Sequence, residues 1–259
     1  MKRSVKELIA ANCRNYGIMF LFLFGEILLL AVCQLGFHLD VMTSAVIVDL
    51  ILCFITTALF FKFRNANVKG FEFKGSLTGK QIILYSLYFL VLTYCMNVLF
   101  VWFGNTFDDA GMASRADNIS SSLRSVYLYL VISLFIAPMQ EESMMRLWLY
   151  NLTKSRSHWM AAAVITSLTF GLMHGTTAHA IFATLFAILL TCIYEYTQVW
   201  YISILGHYIY NFATTLSGFA ASLLSASAGS IPIVMACSIF LAASIIYFAV
   251  RVQKQRSGE

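Results

Sequence analysis

Charge and proline are both scarce in this chain. Only 11% of its 259 residues are Asp, Glu, Lys or Arg and only two are proline, against 60% hydrophobic residues. A soluble domain carries about 25% charged residues, and a disordered chain is poorer still in apolar ones, so both classes are excluded. Cys13, Cys33, Cys53, Cys95, Cys192 and Cys237 show no C-x-x-C spacing. Neither a disulfide framework nor a zinc ribbon is indicated, and the six read as small apolar side chains. No internal repeat, low-complexity tract or linker divides the sequence, and one domain over residues 1–259 is the simplest organisation.

What the chain has in quantity is long apolar runs. A helix crosses a hydrocarbon core of about 30 Å with about 20 residues. Eight stretches meet or approach that length: Tyr16 to Phe37, Met42 to Phe61, Gln81 to Gly104, Val126 to Tyr150, Trp159 to Gly175, Ala178 to Tyr196, Val199 to Ser217 and Ile231 to Val250. The expected fold class is all-α, a polytopic membrane bundle of about eight transmembrane helices. The first run exceeds a signal-peptide h-region and no small-x-small site follows it, so it is expected to stay as a helix. Ahead of it, residues 1–15 carry Lys2, Arg3, Lys6 and Arg14 beside Val5, Leu8 and Ile9, which suits a basic juxtamembrane segment lying on membrane lipid.

With eight spans, those four cations fall on one side together with Lys62, Arg64, Lys69, Lys74, Lys80, Lys154, Arg156, Arg251, Lys254 and Arg256. Arg115 and Arg124 fall on the other, in a loop from Asn105 to Ser125 that also holds Asp108, Asp109 and Asp117. The positive-inside rule then puts the N and C termini in the cytoplasm. This bias accounts for the net charge of +5, and nothing calls for a nucleic-acid partner. The basic loop from Lys62 to Lys80 is expected to touch lipid headgroups or an acidic substrate segment.

Against this background three polar clusters stand out: Glu141-Glu142-x-x-x-Arg146, Phe170-x-x-x-His174 and His207-x-x-x-Asn211. One charge at membrane depth costs about 2.5–3.5 kcal/mol even on a lenient scale, so the first cluster alone would cost about 8–10 kcal/mol without pairing or water. Residues four apart share a helix face, which pairs Glu142 with Arg146 and turns Glu141 about 100° away. Pro138, one turn earlier, is expected to bend or break the helix and open backbone carbonyls to water. A carboxylate, two imidazoles and a carboxamide suit hydrolysis of an amide. Glu141 takes a proton from water, and His174, His207 and Asn211 orient the water and stabilise the oxyanion. The same Glu141, His174 and His207 also make a catalytic zinc set, so zinc stays open as a cofactor beside a metal-free mechanism. Counted from the cytoplasmic ends, Glu141 and His207 come out about 10–14 Å deep and His174 about 22 Å, a gap that three helices around one pocket must close. Glu26 and Asp49 lie inside the first two runs with no partner apparent from the sequence, and His179 reads as a turn or interfacial residue.

The ordered trio EExxxR, FxxxH and HxxxN resembles the CPBP family, also called Abi or type II CAAX proteases, over Pro138 to Asn211. The resemblance implies an intramembrane endopeptidase with Glu141, His174, His207 and Asn211 catalytic and Glu142, Arg146 and Phe170 supporting. It also implies a membrane-proximal peptide or protein tail as substrate, with peptide pheromone or bacteriocin processing and self-immunity as roles. Together with the short loops it favours a bacterial cell membrane. The motifs H-E-x-x-H, G-x-S-x-G and G-x-G-D of other proteases are missing. Readings from other classes are a proton-coupled transporter and a non-catalytic membrane scaffold using the same cavity.

Overall fold

The computed structural model describes residues 24–65, 75–107, 130–174, 176–217 and 221–258. The basic segment 1–15, most of the loop from Asn105 to Ser125 and the middle of the loop from Lys62 to Lys80 lie outside the described residues. Every regular element among the described residues is a helix, as an apolar solvent demands of a backbone that must satisfy its own N–H and C=O groups. They are α1 (Phe24–Gly36), α2 (Val41–Asn65), α3 (Gly79–Phe107), α4 (130–154), α5 (Trp159–Leu172), α6 (Thr177–Thr197), α7 (Ile202–Ser217), α8 (Ala221–Ala228) and α9 (Ile231–Ser257). Each apolar run of the sequence overlaps one of them, and α8 falls between the last two runs. Three helices, α3, α6 and α9, are long and apolar enough to cross a membrane; α1, α5 and Thr43–Ala58 of α2 are shorter apolar helices.

The chain forms two compact units that interleave in sequence, Met1–Glu72 with Ser120–Thr166 and Phe73–Ile119 with Ser167–Glu259. In the first, α2 packs along α4 and against the last turn of α1, over a core that includes Cys33, Val48 and Leu52. Helix α4 changes its winding. Ile132–Ile136 and Ser143–Tyr150 are wide π-type turns, with regular helix at Ala137–Glu142 between them and at Asn151–Lys154 beyond. Pro138 does not break the helix. It sits in the first turn of the regular stretch, and the wide turn before it absorbs the missing N–H donor and the bulk of the ring. Asn151 repairs the far end by donating from Nδ2 to the carbonyls of Arg146 and Leu147, both at 3.1 Å.

In the second unit α3 packs against α6, α7, α8 and α9, and α9 also packs against α6 and α8. Along α3 the Tyr94 hydroxyl and Ser227 meet at 2.9 Å, and Asn97 Nδ2 donates to Thr214 Oγ1 at 3.2 Å, tying α8 and α7 to it. Gly206 permits the tightest of these contacts. A Cβ there would lie 2.6 Å from the Phe89 ring and 2.8 Å from Leu190, so α7 reaches α3 and α6 only because the side chain is absent. Helix α6 opens with Thr176 as N-cap, its hydroxyl accepting from the His179 N–H, and stops at Gln198, whose φ of 54° is left-handed.

Candidate functional site

The first unit carries the EExxxR cluster on α4. Arg146 Nη1 donates to Glu142 Oε1 at 2.9 Å, with the two side chains 2% and 0% exposed. The spacing of four survives the wide turn that starts at Ser143, so the pair forms within the helix. Glu141 is half-buried and lies on a different face. Glu26 on α1 and Asp49 on α2 stand within electrostatic range of Glu141, and of each other. These are the two acidic residues for which the sequence offered no partner, and their charges act on one another and on Glu141.

The second unit carries the histidines. Helix α5 ends at Leu172, so His174 is not on the helix but in the turn that closes it, with the His174 N–H donating to the Gly171 carbonyl at 3.0 Å. Its Nδ1 meets the Phe170 carbonyl at 2.8 Å. A carbonyl only accepts, so this contact puts a proton on Nδ1, and in the neutral ring Nε2 is then the acceptor. The FxxxH spacing thus has a backbone reason, since the carbonyl four residues back lies at the helix end, where it takes the Met173 N–H at 3.3 Å and has a lone pair left for the His174 ring. The Phe170 ring packs 4.6 Å from the His174 ring and 6.1 Å from the His207 ring, centroid to centroid. Both imidazoles therefore gather at one aromatic ring.

His207 is buried on α7 with its ring also edge-on to Phe186 at 5.6 Å, and Asn211 follows one turn later on that helix. Phe186 continues the aromatic wall to Tyr210 at 4.4 Å. Two glycines make this clustering possible. Beside Gly206, Gly171 sits so close to Thr184 and the Ala180 carbonyl of α6 that no side chain fits there. His179 Nδ1 meets Thr176 Oγ1 at 2.6 Å and its ring lies 4.7 Å from Phe100, which makes it part of the capped turn leading into α6. Gly171, Phe186 and Gly206 escaped the sequence reading, although the two glycines stand next to motif residues on helices, a signal of close approach. Among the described residues no group of three His, Cys, Asp or Glu side chains stands ready to hold a metal ion.

Residues 123–213, about a third of the chain, match the family model described as type II CAAX prenyl endopeptidase Rce1-like. No curated protein and no solved structure matches. The matched segment spans all three motifs, from before Glu141 to beyond Asn211. The motif order and this match make residues 123–213 similar to the CAAX-type membrane proteases of the CPBP family.

Proposed function

We propose that this chain is an intramembrane endopeptidase that hydrolyses a peptide bond in a membrane-proximal peptide or protein tail. In this reading Glu141 removes a proton from water, and the water oxygen attacks the carbonyl carbon. His174 accepts a hydrogen bond from that water through Nε2, while His207 and Asn211 donate to the oxygen that becomes negative. Glu141 then passes the proton to the amide nitrogen as the C–N bond breaks. Glu142 and Arg146 hold α4, and Phe170 holds both imidazoles. The observation that carries the reading is the His174 Nδ1 contact with the Phe170 carbonyl, which sets the tautomer a water-orienting imidazole needs.

The proposal includes eight spans with cytoplasmic termini, one membrane domain over residues 1–259, and a secreted peptide such as a pheromone or bacteriocin precursor as substrate. It requires Glu141 to come within reach of a water held by His174 and His207. The test is peptide cleavage and metal content measured on the same purified samples of wild type, Glu141→Gln, His174→Ala and His207→Ala. Cleavage by wild type, its loss in Glu141→Gln at unchanged thermal stability, and persistence under a chelator are expected. Stoichiometric zinc that disappears in the histidine variants would replace the water-activating base with a metal centre. Intact peptide across a broad substrate library would overturn the protease reading in favour of a transporter or scaffold.

A further inference from the structure

Helix α9 is the most apolar of the three long helices, with a mean hydropathy of 2.5, and its spanning window is only 28% buried. Its outer surface is not smooth. Against α3 it forms an open groove of about 300 Å³ lined by Tyr88, Phe240, Ala243, Ser244, Tyr247 and Phe248. Tyr88 lies between Phe240 and Phe248, with ring centroids 5.9 and 5.8 Å away, which puts it level with Ser244. The groove is open and almost wholly apolar, a surface suited to a hydrocarbon chain.

One end of the groove is cationic. Phe248 packs at 5.9 Å against Tyr196 of α6, whose ring and hydroxyl hold the Arg251 guanidinium at 5.5 and 3.1 Å. Arg251 itself is exposed, and so is Lys254 one turn further on. Along α9, Arg251 stands about 10 Å from Ser244 and Phe240 about 16 Å from Arg251, at 1.5 Å per residue. Helix α3 runs antiparallel, so Lys80, eight residues before Tyr88, comes to the level of Arg251 and Lys254. Arg256 is committed elsewhere, to the buried carboxylate of Glu195. The aromatic rings of Tyr196 and Tyr247 at this level suit a headgroup boundary.

We infer that the α3/α9 groove is a binding site for an anionic glycerophospholipid, with one acyl chain lying over the outer face of the Tyr88, Phe240, Tyr247 and Phe248 rings and the phosphate at Arg251 and Lys254. Two independent features converge on this ligand class: an open apolar groove, and cations at one end of it, Arg251 held in place by Tyr196 and Lys254 one turn on. A guanidinium fixed by one hydrogen bond keeps further N–H donors for phosphate oxygens. The site is separate from the histidine cluster and does not depend on the protease reading.

The experiment uses the full chain purified in detergent, with native mass spectrometry and thermal unfolding after addition of phosphatidylglycerol or phosphatidylcholine. Wild type is expected to retain one phosphatidylglycerol through delipidation and to prefer it to phosphatidylcholine by about tenfold or more, the worth of one charge-assisted contact. Arg251→Gln/Lys254→Gln, both exposed positions, should erase the preference for phosphatidylglycerol over phosphatidylcholine while retention of phosphatidylcholine stays as in wild type. Ala243→Trp, which fills the groove, should abolish retention of both lipids. Equal retention of the two lipids by wild type would overturn the headgroup half of the inference. Wild-type retention in Ala243→Trp, or in Ala243→Leu should the tryptophan variant not fold, would overturn the groove half.

Discussion

Removing either partner of the Glu142–Arg146 pair should be costly, and removing both should not. The two side chains are 0% and 2% exposed and meet at 2.9 Å, so removing either leaves a buried ion without its hydrogen-bonded counter-charge. Breaking such a pair costs about 3–5 kcal/mol. For a chain of this size each kcal/mol moves the midpoint by about 2–4 °C, which predicts a fall of about 6–20 °C. The two single variants should differ. In Arg146→Met the lone Glu142 can escape part of the penalty by taking a proton, whereas in Glu142→Leu the guanidinium cannot shed one. Arg146→Met should therefore fall near the lower end of the range and Glu142→Leu near the upper end. In Glu142→Leu/Arg146→Met no buried charge remains, and stability should return to within about 1 kcal/mol of wild type. Thermal unfolding of the purified protein in one detergent gives all four corners of the cycle. Additive losses in the double variant, or a single-variant loss below about 1 kcal/mol, would refute the view that this pair is a desolvated structural unit.

Three further outcomes are expected. Gly206→Ala should cost about 1–3 kcal/mol by overpacking against Phe89 and Leu190, and should lower turnover by displacing His207; an unchanged melting temperature would contradict the close approach of α7. Thr176→Ala should cost about 1 kcal/mol through loss of the α6 N-cap, with Thr176→Ser restoring it, as read by thermal unfolding or by hydrogen exchange at the His179 amide. Arg256→Ala should destabilise by about 1–3 kcal/mol because Glu195 is buried beneath it, and adding Glu195→Gln should recover most of the loss; no recovery would show that the ion pair is not the cause.

The sequence by itself determined the setting and the local pairs. Apolar runs with few charges leave helices in a membrane as the workable solution for the backbone, and spacing four along a helix brings Glu142 to Arg146 whatever the rest of the chain does. The order EExxxR, FxxxH, HxxxN was likewise legible, because a motif is a statement about neighbours in the chain. Only the tertiary structure decided the rest. That Pro138 is carried by a widened helix, rather than breaking it, depends on the packing of α4 against α2, to which spacing is blind. That His174 sits beyond the end of α5 and bonds back to the Phe170 carbonyl depends on where the helix stops, and α5 stops only a few residues from where its apolar run does. The meeting of both imidazoles at Phe170, the close approaches at Gly171 and Gly206, and the pairing of Glu195 with Arg256 across 61 residues are all contacts between elements. The physical reason is one of range. Hydrophobic burial and helix periodicity act along the chain and leave their pattern in it, whereas the rotation of one helix against another is fixed by interlocking shapes, and those exist only once the helices have packed.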